Sequence, residues 1–348
     1  MADTSVFARR LIDWQRLNGR HGLPWQVKDP YAVWLSEIML QQTQVATVLD
    51  YYPRFLERFP NVRALADAPQ DEVLALWAGL GYYSRARNLH KAAQQVVNEF
   101  GGKFPQTRQE LEKLCGVGRS TAAAIAAFAF DRRETILDGN VKRVLCRLYV
   151  QDGNPQDRKF EQQLWQLAES LMPSANSDMP AYTQGLMDLG ATVCRRSNPL
   201  CGKCPMADMC GAKQQNRIGE LPRKKTAVEV QNLPLYWLVV RNGNGAVWLE
   251  KRPAKGIWGG LYCVPCFGSL QEMYDYAGQS GIGWDEMEEC EAFTHRLTHR
   301  LLWVTPFETR SDKMAEGADG IWAEQGEWQA YGLPKPLAKY LQAVCKSA

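Results

Sequence analysis

Thirty residues, Leu114 to Arg143, most limit what this 348-residue chain can become. They read Leu-Cys-Gly-Val-Gly-Arg-Ser-Thr-Ala, then an alanine-rich apolar run to Phe130, then Ile-Leu-Asp-Gly-Asn-Val-Lys-Arg from Ile136. Upstream, Thr107 and Glu110 predict a capping box that opens a helix through Leu114. Gly116 and Gly118 allow a tight turn, and Ser120 or Thr121 can start the next helix. Two helices joined through Gly116-Val117-Gly118 direct backbone N–H groups outward at a helix N-terminus. Unpaired donors and the helix dipole together favour a phosphate there. Asp138 stands just before another helical pattern, Val141 to Tyr149, so a carboxylate is expected close to the held phosphate. Read alone, the stretch is also an ordinary helical hairpin followed by an N-cap aspartate.

The length suggests about two domains at roughly 150 residues each. Basic and acidic side chains nearly balance, 41 against 38, so a nucleic-acid surface has to be local. No run of 18 apolar residues is present, and the N-terminus lacks the apolar segment of a signal peptide. Of ten cysteines, four crowd between Cys194 and Cys210. In a chain without a secretion signal, such crowding favours a metal site over disulfides. A cytoplasmic, membrane-free protein is expected.

Residues 1–213 read as helical almost throughout. A short amphipathic helix covers residues 5 to 17, and Asp29-Pro30 supplies a cap and first residue for the next. That second helix carries Glu37 inside Trp34-Leu35-Ser36-Glu37-Ile38-Met39-Leu40. Apolar surroundings disfavour an ionised carboxyl, so its pKa is expected to rise, unless Glu37 lies on a solvated face. Gln41-Gln42-Thr43-Gln44 follows, either plain surface or side chains able to reach base edges. From Tyr51 to Phe100 helices are broken at Pro60, Pro69 and Gly79. The segment Gly79-Leu80-Gly81-Tyr82-Tyr83-Ser84-Arg85-Ala86-Arg87 joins a turn, two aromatics and two arginines. Rings of this kind can stack on bases while arginines meet phosphates, or can simply pack a helix end.

Cys194, Cys201, Cys204 and Cys210 have the spacing C-x6-C-x2-C-x5-C. Four thiolates so placed suit a [4Fe–4S] cluster or a tetrahedral zinc, and match neither ferredoxin spacing nor paired zinc knuckles. Arg195, Arg196 and Lys203 lie among them and could offer charge to phosphates.

In this order, the hairpin, the aspartate and the cysteine loop resemble the helix-hairpin-helix, iron–sulfur DNA glycosylases of the endonuclease III superfamily. Within it, Leu23-Pro24-Trp25, Ser36 to Thr43 and Leu137 to Arg143 are similar to the adenine DNA glycosylases of the MutY type. Cys115 departs from the proline usual in that hairpin. Ser120 stands where endonuclease III carries its lysine nucleophile, and a serine cannot form the Schiff base needed for strand cleavage. The resemblance therefore implies a monofunctional hydrolase with a [4Fe–4S] cluster on the four cysteines. It implies Glu37 as proton donor to adenine N7 and Asp138 as the carboxylate that stabilises an oxocarbenium ion, the division of labour of retaining glycosidases. Gly116, Val117, Gly118 and Ser120 would face the DNA backbone, Gln41, Gln42 and Tyr82 the opposite base, and Asn140 would support the site. The target base must first leave the stack.

Residues 214–232, with Pro222-Arg223-Lys224-Lys225, read as a linker. A hairpin signal follows, Leu235 to Val240 and Ala246 to Glu250. Together with Gly256 to Pro265 it resembles the MutT-like (Nudix-fold) domain of the same glycosylases, over residues 233–345. The Nudix hydrolase box is missing after Pro265, so this domain is expected to bind rather than hydrolyse. Cys263 and Cys266 form a lone C-x2-C of core character. In the family a Phe-Ser-His loop meets 8-oxoguanine, and this chain has Leu297-Thr298-His299 at that place. The expected fold is thus an all-α glycosylase domain followed by an α+β domain. The expected partner is double-stranded DNA with adenine opposite 8-oxoguanine or guanine, bound by a monomer at the nucleoid. An endonuclease III-type lyase, a non-catalytic iron–sulfur regulator and a Nudix hydrolase are the rivals. Ser120, the pairing of Glu37 with Asp138 and the missing box respectively oppose them.

Overall fold

Two helices that frame the first unit begin where an aspartate precedes an apolar run. Asp29 accepts the Tyr31 N–H and Pro30 fills the first turn of one; Asp138 accepts the Val141 N–H to start another. The computed structural model describes residues 4–223, 230–312, 314 and 318–344. Lys224 and Lys225 of the expected linker and the chain end from 345 lie outside them. The chain divides into two units, Met1–Asp67 with Lys91–Thr226, and Ala68–His90 with Ala227–Ala348.

The first unit is helical. It contains α1 (Thr4–Asn18), α2 (Pro30–Leu40), α3 (Val45–Arg58) and α4 (Val62–Asp67). After α5 (Gln70–Trp77) and the first half of α6 (Ser84–Phe100), which belong to the second unit, come α7 (Arg108–Leu111) and α8 (Arg119–Phe130). Then follow α9 (Gly139–Leu148), α10 (Arg158–Ser170), α11 (Met179–Asp188) and α12 (Gly211–Gln214). No strand occurs among the described residues of this unit.

The alanine run explains the packing. Ala122 to Ala127 on α8 are wholly buried. Their small side chains leave room for Phe7 and Leu11 of α1, Val141 and Leu145 of α9 and Tyr182 of α11 to share one core. Two local details differ from expectation. The helix after Thr107 closes at Leu111 and reaches the hairpin by tighter i→i−3 turns, and the Glu110 carboxylate accepts from the Thr107 hydroxyl at 2.6 Å rather than from a backbone N–H. The cap of α8 is Gly118 itself, which leaves the Ser120 hydroxyl free for another bond.

The second unit is built on a mixed sheet. Its strands are β1 (Gln231–Arg241), β2 (Val247–Lys251), β3 (Tyr262–Cys263), β4 (Cys266–Phe267), β5 (Glu288–Glu289), β6 (Phe293–Arg296), β7 (Arg300–Arg310) and β8 (Gly320–Ala323). The order is β3-β2-β1-β7-β5, with β4 on β1, β6 on β7 and β8 on β2. β1 and β7 run parallel from Gln231 opposite Arg300 to Arg241 opposite Arg310. The expected hairpin forms at residues 241–247, where Gly245 takes a φ of 82° that suits glycine. Helices α13 (Leu270–Gln279) and α14 (Lys335–Val344) complete the unit. Trp237, wholly buried, meets the rings of Trp258, Phe293 and Tyr340. Among the described residues, no helix is long and apolar enough to cross a membrane.

Candidate active site and cluster loop

Two carboxyl groups of the first unit lie close enough for the charge of one to act on the other. Glu37 sits on α2 between Trp34, Ile38 and Met39, all buried. Burial pushes its carboxyl far above the usual carboxyl range, to about 8, and the neighbouring Asp138 charge pushes in the same direction. Asp138 is fixed as the cap of α9: one oxygen accepts the Val141 N–H at 2.8 Å and the other accepts from the Asn140 amide at 3.3 Å. The arrangement pairs an acid that keeps its proton near neutrality with a carboxylate held at a helix N-terminus. Such a pair can protonate a leaving group and shield a cation.

Ser120 connects this site to the hairpin. Its hydroxyl accepts the Leu137 N–H at 3.1 Å, one residue before Asp138. The hairpin turns at Gly116, with a φ of 78°, and nothing lies within 4 Å of where a Gly118 side chain would begin. Val117 is buried beneath it. A polyanion can therefore approach the main chain closely here. The Gln41 amide donates to the Thr121 hydroxyl at 3.3 Å and lies 3.5 Å from the Gly116 carbonyl. Gln42 is exposed and holds a left-handed φ of 57°, a conformation that costs a non-glycine residue energy.

Two arginines with no role assigned from sequence run from α9 to the cysteine loop. Arg143 donates to the Asn140 side chain at 2.8 Å, the Gly190 carbonyl at 2.7 Å and the Cys194 carbonyl at 2.8 Å. Arg147, buried one turn on, donates to the carbonyls of Arg195 and Leu221 at 2.8 and 3.0 Å and lies 3.6 Å from the Cys194 sulfur. Their i, i+4 spacing on the helix capped by Asp138 was the available signal. A π-helical turn, Leu189–Val193, delivers Cys194, whose N–H reaches back to the Leu189 carbonyl.

Cys194, Cys201, Cys204 and Cys210 line one cavity of about 30 Å³. Four thiols lining a shared space suit an iron–sulfur cluster or a tetrahedral zinc. Arg195, Arg196 and Lys203 are exposed on the loop.

In the second unit, Tyr82 and the turn between β6 and β7 come together. The Tyr82 hydroxyl lies 3.3 Å from that of Thr298, the ring is 46% exposed, and the backbone holds a φ of 49°. Arg85 and Arg87 turn inward rather than toward solvent. Arg85 is buried against the Trp77 and Tyr82 rings and donates to the Gly81 carbonyl at 3.2 Å. Arg87 donates to the Gly259 carbonyl. Of the two alternatives left open for this segment, packing at a helix end is the one these arginines serve, because turn carbonyls here need donors. Leu297 is half-buried and its N–H closes the turn on the Arg300 carbonyl, while Thr298 and His299 are exposed.

Comparisons with known proteins place the chain in a family. A family model of HhH-GPD superfamily base excision DNA repair proteins matches residues 35–170. The iron–sulfur binding domain of endonuclease III matches residues 194–210, and a NUDIX domain matches 236–343. The adenine DNA glycosylase of Buchnera aphidicola subsp. Baizongia pistaciae (strain Bp) is 38% identical over 347 residues, covering 99% of this chain and 98% of its own. That of Homo sapiens is 44% identical over 226 residues, covering 62% of this chain and 41% of the human protein. A solved thermostable thymine-DNA glycosylase superposes with a TM-score of 0.54 at 28% identity, over 61% of this chain and 97% of that one. The cysteine loop is accordingly an iron–sulfur site, and the cofactor is a [4Fe–4S] cluster. Matched from end to end by such a relative, the chain belongs to the adenine DNA glycosylases, hydrolases of base excision repair.

Proposed function

We propose that this glycosylase removes adenine mispaired with 8-oxoguanine or guanine and leaves the abasic strand intact. The observation that carries the reading is Glu37 with a pKa of about 8 beside a capped Asp138. Glu37 donates its proton to N7 of the flipped adenine, which weakens the N-glycosidic bond. Asp138 stabilises the oxocarbenium ion, or briefly bonds to C1′, until water arrives. Asn140 steadies Asp138. Gly116, Val117, Gly118 and Ser120 form the backbone-facing hairpin, and Gln41 and Gln42 lie at its flank. Tyr82, Leu297, Thr298 and His299 read the base opposite adenine. Cys194, Cys201, Cys204 and Cys210 ligate the cluster, which supplies cross-links that close the loop. Residues 1–213 would then act as the glycosylase domain and 233–345 as the lesion reader, joined by 214–232.

A glycosylase assay on duplexes with adenine opposite 8-oxoguanine, guanine, cytosine or thymine, with and without alkali, tests this. Base loss opposite 8-oxoguanine and guanine, with strand breakage only after alkali, is expected. Efficient nicking without alkali, or no preference among opposing bases, would refute it.

A further inference from the structure

We propose that Cys263 and Cys266 form an oxidisable dithiol, a site that low-molecular-weight disulfides convert to an intrachain disulfide. The two sulfurs lie 3.4 Å apart. Their main chain is held on both sides: Cys263 pairs with Glu250 of β2, and Cys266 with Trp237 of β1. Between them the Pro265 carbonyl accepts the Leu238 N–H at 3.0 Å. A disulfide needs an S–S distance of about 2.0 Å, so the sulfurs have roughly 1.4 Å left to close.

The two thiols differ in access. Cys263 is buried and Cys266 half-buried. Burial pushes the Cys263 thiol well up, with the neighbouring Cys266 adding to the effect, so Cys266 is the group that attacks first. Its thiolate attacks one sulfur of oxidised glutathione, forms a mixed disulfide and expels one glutathione thiolate. Cys263 then passes its proton to solvent, and its sulfur attacks the Cys266 sulfur and expels the second glutathione thiolate. Two protein thiols are oxidised and one small disulfide is reduced to two thiols. The raised pKa of Cys263 slows this second step, and its fixed position offsets that, since intramolecular groups so placed reach effective concentrations on the order of 10⁵ M. The cysteines of the iron–sulfur loop take no part.

The test uses the full-length, cluster-loaded protein treated with oxidised glutathione, quenched with an alkylating agent and mapped by mass spectrometry after two-protease digestion. Wild type should yield a peptide two hydrogens lighter, linking Cys263 to Cys266, with neither thiol alkylated. In Cys263→Ala, Cys266 should instead retain one glutathione, at an occupancy at least tenfold above wild type. Wild-type Cys266 that keeps glutathione as fully as the variant does, or both thiols still open to alkylation, would overturn the proposal. Should Cys263→Ala fail to fold, the wild-type map alone decides.

Discussion

At the scale of single residues, Glu37 is held at a cost to the fold. Its carboxyl titrates near 8 in the folded chain and near 4.3 when unfolded, so folding takes up a proton between those values. The stability this group contributes is complete below about pH 4.3 and is lost as pH rises toward 8, at roughly 1.4 kcal/mol per unit. Glu37→Gln has no such titration and should melt higher than wild type at pH 8, with the difference shrinking at pH 5. A calorimetric scan at both pH values checks this; equal midpoints at pH 8 would mean that Glu37 is solvated. Ser120 adds a second residue-scale point. Ser120→Lys brings an amine toward the place of the endonuclease III nucleophile and should gain borohydride-trappable strand cleavage. It also removes the bond to the Leu137 N–H, so adenine release should fall by about fivefold as Asp138 loses its anchor, a cost in line with one lost hydrogen bond of about 1 kcal/mol. A variant without any trapped adduct would show that position 120 is not where a lyase amine can act.

At the scale of elements, α9 ties the carboxylate to the cluster loop. Gly190 on the π turn is the closest point of approach: a side chain there would begin 2.6 Å from the Asn140 Cβ. Gly190→Ala must push Asn140 off Asp138 or shift the loop, a strain of about 1–3 kcal/mol. Single-turnover adenine release should drop at least tenfold while iron content stays at the wild-type level. Unchanged release would mean that the contact between α9 and the π turn does not position Asp138. Much of this element was readable from sequence, and part was not. The cap Asp138, the alanine-rich α8 and the cysteine spacing follow from local rules of capping, periodicity and ligand count. The bond from Ser120 to Leu137, the reach of Arg87 to Gly259 and that of Arg143 and Arg147 to residues near 190 and 220 depend on tertiary neighbours, which no local pattern encodes. Elemental analysis should find iron rather than zinc, and Cys201→Ser should weaken folding before it alters chemistry.

At the scale of the whole molecule, the chain is not divided at one point along its sequence. Residues 68–90 pack with the C-terminal sheet: Lys251 pairs with Asp71 at 2.5 Å, and the Tyr83 hydroxyl donates to the Leu333 carbonyl at 3.3 Å. A truncation near Lys213 would strip that segment of these partners, so point substitutions separate the roles more cleanly. Thr298→Ala with His299→Ala should reduce the preference for 8-oxoguanine over guanine by about 10- to 100-fold, the loss expected for one or two base contacts of about 1–3 kcal/mol. Removal of adenine opposite guanine should change less. Competition between the two duplexes measures the ratio, and an unchanged ratio would place recognition elsewhere, at Gln41 and Gln42. Tyr82 and Thr298 were each singled out by resemblance, yet their contact joins positions 216 residues apart and could only be seen in the fold.

The central claim is that Glu37 keeps its proton beside the Asp138 that caps α9, and single-turnover adenine release against pH tests it most directly. On a duplex with adenine opposite 8-oxoguanine, the wild-type rate should fall tenfold per unit once pH passes about 8, while duplex binding persists. Asp138→Asn and Glu37→Gln should each bind the duplex and lose at least a hundredfold in rate across the range. A wild-type rate that stays level to pH 9.5, or near-normal release by either variant, would contradict the account.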